Sequence, residues 1–389
     1  MVVVLASSVI AAAGKLVIAG TTLGSDDVRW FTLFARAVQH VGPINVYAQH
    51  FGLPYNHPPL VGWWLMLNNW LTDHTPLSLP FLIRLPATLA DVVTAWLIFT
   101  ILSRRRPLSE ATAAGVLVGC SPVLVIISGF HGNTDPVFVM FCMLSAWLLA
   151  DRGRPGWSGV CFAAALSVKI VPIVILPALL ITAVRRRAFG SFVLGAAAVI
   201  VPLWLPVLIR QWHPFLHNVI GYSGAHKVKG PWGLANLAWS SGHLSLARSL
   251  ALHGSWLPVL ISAALAALVV ARADKNLPAA VGMAFAAFVA FSPVFATQYL
   301  AWPLAGLYLV DFFSATAFNL SCGLFLFLIY NRWSHGLPWY RAVSAGVIAP
   351  QRHVGIVVWI CLLLTVTIGC VRMITKIPMR AKATMPATR

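Results

Sequence analysis

Apolar runs of membrane-spanning length recur along the whole of this 389-residue chain. A helix needs about 20 such residues to cross roughly 30 Å of hydrocarbon. Only 9% of the residues are charged, whereas soluble domains carry roughly 25%. A soluble globular protein is therefore excluded, and the long runs favour helices over the short alternating strands of a β-barrel. The sequence predicts an all-α polytopic membrane protein that forms one transmembrane domain over residues 1–389.

Basic residues outnumber acidic ones by 27 to 9, which gives a formal net charge of +18. Basic short loops stay on the cytoplasmic side of a membrane, and they also attract anionic membrane lipid. No soluble basic face is visible, so we expect no nucleic-acid partner. The clusters that we place on the cytoplasmic side are Arg104 to Arg106, Arg152 with Arg154, Arg185 to Arg187, Arg272 with Lys275, and the tail from Arg372.

This placement predicts a bundle of about twelve transmembrane helices with both termini cytoplasmic. After a first span that ends near residue 20, the others are expected at about 79–102, 110–128, 135–150, 157–168, 171–184, 190–210, 255–271, 278–292, 299–312, 316–330 and 354–373. The external loops are then about 21–80, 211–252 and 331–353.

Two helices are expected in the first external loop, namely Val28 to Val41 and Pro59 to Leu71. The second is too short to span a membrane, and its three tryptophans favour a helix lying in the interface. The short spans on either side of Lys169 to Pro172 predict half-helices that meet at a break, which is tolerated where the backbone is buried or lines a cavity.

Acidic residues are so scarce that the topology leaves four external candidates for carboxylate chemistry: Asp26, Asp27, Asp73 and Asp135. Asp26 and Asp27 open the first helix of the loop. They suit a helix N-terminus on structural grounds, and they equally suit a general base or a metal ligand. Arg84 and Asp91 are two helical turns apart inside a span, which predicts a structural charge pair.

Other polar residues fall at the same external side of the bundle. Each also has a structural interpretation, such as an extended Pro-Pro turn, a helix start, snorkelling or contact with lipid headgroups. For Lys169 and the loop lysines, binding of an anionic phosphate is the alternative. The candidates for substrate binding are His57, His131, Asn133, Asp135, Lys169, Lys227, Lys229, Gln298 and Tyr299.

The order of these motifs resembles the GT-C superfamily of membrane glycosyltransferases. The resemblance lies in an acid in the first external loop, Tyr55-Asn56-His57-Pro58-Pro59-Leu60 before an interfacial helix, and a second span beginning Ile83-Arg84-Leu85-Pro86. Three further stretches look most like polyprenyl- or dolichyl-phosphate-mannose-dependent mannosyltransferases, of the glycosylphosphatidylinositol first-mannose and bacterial types. They are His131-Gly132-Asn133-Thr134-Asp135, Val168-Lys169-Ile170-Val171-Pro172 and Thr297-Gln298-Tyr299-Leu300-Ala301-Trp302. The chain departs from the Asp-x-Asp of the first-mannose enzyme, because Asp26 and Asp27 are adjacent.

The resemblance implies inverting transfer of a hexose, mannose foremost, from a polyprenyl-phosphate sugar to a lipid-linked or glycan acceptor. Asp26 or Asp27 would be the base, and Lys169 would lead the cations that stabilise the leaving phosphate. The active site would face the periplasmic, external or lumenal side of a bacterial plasma membrane or an endoplasmic reticulum. A divalent metal and an accessory subunit stay open.

Two other interpretations keep the same topology. A transporter or lipid flippase would use Arg84, Asp91 and Lys169 along a translocation path and would have matched broken helices. A ligase that moves whole glycans from a lipid pyrophosphate would be expected to carry more external arginine than this chain has. The gathering of polar residues on one side of the membrane favours the glycosyltransferase.

Overall fold

The computed structural model describes residues 1–50, 52, 54–222, 233–272 and 276–375, and within these ranges the regular secondary structure is helical. Seventeen α-helices follow one another within these described ranges. They are α1 Val2–Thr21, α2 Asp26–Asn45, α3 Pro59–His74, α4 Leu79–Leu102, α5 Leu108–Gly119, α6 Pro122–Leu124, α7 Asp135–Ala150, α8 Pro155–Val168, α9 Leu176–Arg185, α10 Phe189–Phe215, α11 Leu234–Ser240, α12 Leu244–His253, α13 Trp256–Arg272, α14 Leu277–Ala290, α15 Ala301–Val310, α16 Phe312–Trp333 and α17 Ala349–Ile374.

Six stretches of the described chain are long and apolar enough to cross a membrane, or seven if the bent pair α12 and α13 forms one span. The six are Val2–Thr21, Leu79–Leu102, Leu108–His131, Phe189–Ile220, Phe312–Trp333 and Ala349–Arg372. Several other apolar helices were expected as spans, and those from α7 to α9 and α14 are 10 to 17 residues long. The all-helical membrane architecture is thus confirmed, and a total of about twelve spans stays a prediction.

The first loop contains the two expected helices, α2 and α3. Pro58 is extended (φ −62°, ψ 165°) and leads directly into α3 at Pro59, as two consecutive prolines favour. Near the end of α2, Gly42 takes φ 81° and bends the chain at Pro43, a conformation that glycine adopts at little cost. The place of these helices at a membrane interface stays a prediction.

The chain breaks around Lys169, as expected. Helix α8 ends at Val168, Lys169 is extended (φ −151°, ψ 147°), and a 3-10 turn over Val171–Ile175 leads into α9. The break places the Lys169 backbone at the end of one half-helix, where its side chain turns toward the start of α7 instead of continuing along a helix face.

Helices α7, α8 and α15 each run from one end of the bundle to the other, and the two ends differ in their charged residues. One end holds the ion pairs Arg105–Asp151, Arg106–Glu110 and Arg372–Asp311. The opposite end holds Asp135 at the start of α7, Lys169 after α8 and the residues just before α15. The arginine clusters and the candidate site residues therefore lie at opposite ends of the same helices.

The expected Arg84–Asp91 pair is wrong. Asp91 instead accepts a hydrogen bond from Lys15 Nζ of α1 at 2.7 Å, and both side chains are almost fully buried. The Arg84 guanidinium binds backbone carbonyls of Ala19, Thr22 and Gly129. Seven residues of separation placed Arg84 and Asp91 on one helix face, but each found a closer partner on a neighbouring element.

Candidate active site

The carboxylate of Asp27 is the centre of the site. Its Oδ2 accepts hydrogen bonds from Asn133 Nδ2 at 2.6 Å, His131 Nε2 at 3.0 Å and Gln298 Nε2 at 3.2 Å. Its Oδ1 makes no hydrogen bond to any described residue, and about 30% of the side chain is exposed. One oxygen is thus fixed by three donors while the other is open to a ligand.

Burial raises the pKa of the Asp27 carboxyl. His131, Asn133 and Lys169 lower this pKa by a larger amount, so the net pKa lies below its ordinary value. Hydrogen bonds to the charged form and nearby cations both favour a carboxylate. Asp27 is therefore ionised at neutral pH and can accept a proton.

Local backbone geometry brings His131 to Asp27. The chain before the turn is a π-helix over Val125–His131, followed by Gly132 at φ 79°. A Cβ on Gly132 would lie 2.4 Å from Val28, so the close approach requires glycine. Ser25 caps α2 by accepting from the Asp27 N–H and donates its own hydroxyl proton to the carbonyl of His131 at 2.8 Å.

Asp26 faces a different part of the chain. Its Oδ2 accepts from the Ser344 N–H at 3.4 Å, and Arg341 lies 4.0 Å from its Oδ1. The segment that carries these two residues pairs with Gly24 through a backbone bridge. The adjacent carboxylates therefore point to separate partners, and only Asp27 meets the 131–133 turn.

Lys169 and Asp135 form the second half of the site. Lys169 Nζ donates to Asp135 Oδ1 at 2.5 Å, and Trp302 Nε1 donates to Asp135 Oδ2 at 2.7 Å. The Asp135 side chain is fully buried, whereas Lys169 is 19% exposed. Because an ammonium group has three donors and only one binds Asp135, the partly exposed Lys169 keeps two donors for a ligand.

Aromatic rings surround the Lys169 ammonium. It lies 4.9 Å from the ring centroid of Tyr299, 5.0 Å from that of Trp302 and 5.9 Å from that of Phe138. The rings of Tyr299 and Trp302 stack at 4.0 Å. Such ring faces attract a cation.

The 3-10 turn Thr297–Leu300 connects the two halves. Gln298 binds Asp27, and its neighbour Tyr299 contacts Lys169. The positive charge of Lys169 also contributes to lowering the pKa of the Asp27 carboxyl, so the two groups lie within electrostatic range of each other. Four separate parts of the sequence thus meet here: the start of α2, the 131–135 turn, the break after α8 and the turn before α15.

His57 belongs to the same site, and its side chain is neutral. Its ring stacks on Phe31 at 4.8 Å and meets Phe34 and Tyr55 edge-on. Burial, aided by the positive charge of Lys169, lowers the pKa of His57 to about 3. Its ring nitrogens have no hydrogen-bond partner among the described residues, so one N–H donor and one acceptor are available to a ligand.

We expect His57 to make the protein less stable as the pH falls. Its pKa is about 3 when folded and about 6.5 when unfolded. Between these pH values His57 is protonated in the unfolded chain and neutral in the folded protein. The contribution of His57 to the free energy of unfolding is therefore full above pH 6.5 and falls on acidification. From pH 7 to pH 5 the loss should be about 1–2 kcal/mol. Thermal unfolding midpoints in detergent should show a smaller loss for His57→Phe, which keeps the stacking; parallel curves for the two proteins would contradict the assignment.

A divalent metal does not fit the described residues at this site. Asp26 and Asp27 point apart, Asp27 Oδ2 is already bound by three donors, and each oxygen of Asp135 already accepts a hydrogen bond, from Lys169 or Trp302. Across the described ranges, no group of three or more His, Cys, Asp or Glu side chains could hold an ion. We derive no step through a metal.

Most of the candidate catalytic and substrate-binding residues that the sequence indicated meet at this site. Asp26 points elsewhere, and Lys227 and Lys229 lie outside the described residues. Sequence reasoning missed Ser25, Thr297 and Tyr330, of which Tyr330 hydrogen-bonds to His131. The signal available for Tyr330 was its place at the external end of the expected span 316–330.

The partly exposed side chains of Asp27 and Lys169 thus lie at the same end of a bundle that contains helices of membrane-spanning length. The family model for glycosyltransferase family 87 matches residues 55–297, which is more than half of the chain. The protein therefore belongs to glycosyltransferase family 87, a family of membrane glycosyltransferases. No curated protein matches the chain. The matched range includes His57, His131 and Lys169 but begins after Asp27.

Proposed function

We propose that this glycosyltransferase moves a hexose, mannose foremost, from a polyprenyl-phosphate sugar to a lipid-linked or glycan acceptor with inversion. The observation that carries the proposal is the free Oδ1 of the ionised Asp27 in the same site as Lys169. A base for the acceptor and a cation for the leaving phosphate are the two groups that a single displacement requires.

In this reaction the acceptor hydroxyl oxygen attacks the anomeric carbon of the sugar. The bond from that carbon to the phosphate oxygen breaks, and the lipid phosphate leaves with the electron pair. Asp27 Oδ1 accepts the hydroxyl proton. His131, Asn133 and Gln298 hold Oδ2 and so orient the carboxylate, and attack from the side opposite the leaving group inverts the configuration.

Lys169 is the group that we assign to the leaving phosphate. Asp135 binds its ammonium group, and Trp302 in turn binds the other oxygen of Asp135. The ammonium group keeps two further donors for a phosphate. The neutral His57 ring offers a further donor to a phosphate oxygen or a sugar hydroxyl. In this assignment Asp135 acts by holding Lys169, and His131 and Asn133 act through Asp27.

The arrangement of charge supports a site on the external side. Arginine clusters occupy the other end of α7, α8 and α15, and basic ends stay cytoplasmic. A sugar carried on a lipid phosphate is a donor that reaches the external face without a soluble nucleotide. The site is thus placed, in this proposal, on the periplasmic or lumenal surface of the membrane.

An apolar groove beside the site supports a lipid-linked substrate. Its lining includes Leu237, Phe295, Leu300, Ile356 and Trp359 from several elements. Phe295 and Leu300 flank the turn that carries Gln298 and Tyr299. Hydrocarbon binding here would place the phosphate end of a lipid close to Lys169.

Narrowing this groove should weaken the binding of long donors. We expect Ile356→Trp to raise KM for a long-chain polyprenyl-phosphate sugar about tenfold, because a lost hydrocarbon contact of about 1–3 kcal/mol corresponds to that factor or more. KM for a short-chain analogue should stay unchanged. Ile360→Trp is the matched control, since Ile360 lies on the same helix, is similarly exposed and is not in the groove lining. Equal effects on long and short donors would count against the groove.

The proposal is tested with purified protein in proteoliposomes. Radiolabelled polyprenyl-phosphate mannose and the corresponding nucleotide sugar are offered separately with an extracted lipid acceptor. Transfer is expected from the lipid donor alone, and NMR of the product should show an anomeric configuration opposite to that of the donor. Transfer from the nucleotide sugar, or retained configuration, would overturn the proposal.

A further inference from the structure

A chain of hydrogen bonds runs from α16 to the catalytic carboxylate. Thr297 Oγ1 lies 3.1 Å from the Tyr330 hydroxyl, which lies 2.5 Å from His131 Nδ1. The other ring nitrogen, Nε2, lies 3.0 Å from Asp27 Oδ2. Tyr330 and Thr297 are buried, and Tyr330 is 199 residues away from His131 along the chain.

The polarity of this chain follows from what each atom can do. The ionised Asp27 only accepts, so His131 must donate from Nε2. With His131 as a neutral imidazole, which is the premise of the proposal below, Nδ1 is then an acceptor and Tyr330 supplies the proton. The Tyr330 oxygen in turn accepts from Thr297. The opposite tautomer would direct the Nε2 lone pair at a carboxylate oxygen 3.0 Å away, which is repulsive.

Tyr330 is held in this role by its surroundings. The rings of Phe130 and Trp339 pack against it, with centroids at 5.8 and 6.1 Å. The only described hydrogen-bond partners of its hydroxyl are Thr297 and His131. Of these two partners His131 Nδ1 is the closer, at 2.5 Å against 3.1 Å for Thr297 Oγ1, so we assign the phenol proton to the bond with Nδ1.

We propose that Tyr330 is a positioning residue that fixes the tautomer of His131, so that Nε2–H secures Asp27 Oδ2 and leaves Oδ1 as the base. This inference rests on the proposed function for its kinetic consequence, although the tautomer itself is a property of the free protein. It assigns a role in the site to α16, which lies outside the range matched by the family model.

The tautomer can be read directly by NMR. In protein labelled with ¹⁵N-histidine, the His131 signals are identified by their loss in His131→Gln. We expect the wild-type Nδ1 to resonate as an unprotonated acceptor and Nε2 as a protonated donor. In Tyr330→Phe the Nδ1 signal should move toward that of a mixture of tautomers or of a protonated ring. A protonated Nδ1 in the wild-type protein would overturn the proposal.

Kinetics provide the second arm, with polyprenyl-phosphate mannose as the donor. Tyr330→Phe should lower kcat about 10- to 100-fold, by analogy with the loss caused by removing the partner that orients a metal-binding histidine. KM for the donor should change little, because Tyr330 does not face the opening. Tyr308→Phe is the matched control, since Tyr308 is also a buried tyrosine that hydrogen-bonds within the bundle, to Asn319.

The His131→Gln background separates positioning from a general structural effect. The glutamine amide of this variant can donate to Asp27 and has no tautomer, so adding Tyr330→Phe to it should cause no further loss of kcat. An equal loss in both backgrounds, or an unchanged kcat for Tyr330→Phe alone, would contradict the proposal. If the wild-type protein transfers no sugar from this donor, the proposed function fails, and the NMR arm still decides the tautomer.

Discussion

Replacing Asp27 with Asn should reduce sugar transfer by about 10²- to 10⁴-fold, the usual range for removal of a general base. The amide has nearly the same shape and can still accept hydrogen bonds through its oxygen from His131 and Asn133, so folding should survive. What is lost is the negative Oδ1 that takes the acceptor proton. The measurement is transfer from radiolabelled polyprenyl-phosphate mannose at matched protein levels.

Asp26→Asn is the matched control for this prediction. It changes the neighbouring residue in the same way, but Asp26 contacts Ser344 and Arg341 and not the 131–133 turn. Most of the activity should therefore remain. Wild-type turnover in the Asp26→Asn and Asp27→Asn double variant would exclude both carboxylates as the base.

The largest effect on stability is expected at the Lys15–Asp91 pair. Asp91→Asn leaves the Lys15 ammonium buried between α1 and α4 without its counter-charge. Breaking a buried ion pair from one side costs about 3–5 kcal/mol. The thermal unfolding midpoint in detergent should fall sharply, with a loss of folded protein on size-exclusion chromatography.

Removing both charges should destabilise the protein far less than removing one. The double variant Lys15→Met with Asp91→Leu replaces the pair by apolar side chains of similar volume, which is often neutral. Its unfolding midpoint should lie close to that of the wild type. If the midpoint of the double variant were as low as that of Asp91→Asn, the loss of stability would not come from leaving the buried Lys15 charge unpaired, and the prediction would be contradicted.

The pairings inside the bundle show where sequence patterns reach their limit. Arg84 and Asp91 are correctly placed on one helix face by their spacing, yet Asp91 binds Lys15 and Arg84 binds carbonyls. Spacing fixes which residues share a face of one helix, but the neighbouring helix decides which of them meet a partner. That contact is tertiary and leaves no mark in the spacing of either segment.

The same limit applies to the site. The scarcity of acids narrowed the external candidates to four, the family resemblance favoured Asp26 or Asp27 as the base, and the break at Lys169 was visible as two half-length apolar runs. Neighbouring residues on a helix point about 100° apart, so only one of the two acids could face a given turn. Choosing Asp27 required the positions of Asn133 and Gln298, which come from distant parts of the chain.

The central claim is that Asp27 and Lys169 act on one donor from a shared site. A cryo-EM structure with a non-hydrolysable polyprenyl-phosphate sugar analogue tests it most directly. We expect the phosphate within hydrogen-bond distance of Lys169 Nζ, about 3 Å, and the anomeric carbon facing Asp27 with room for an acceptor oxygen at about 3–3.5 Å. A phosphate bound at the arginine-rich end of the bundle, or separated from Lys169 while the sugar lies away from Asp27, would contradict the account.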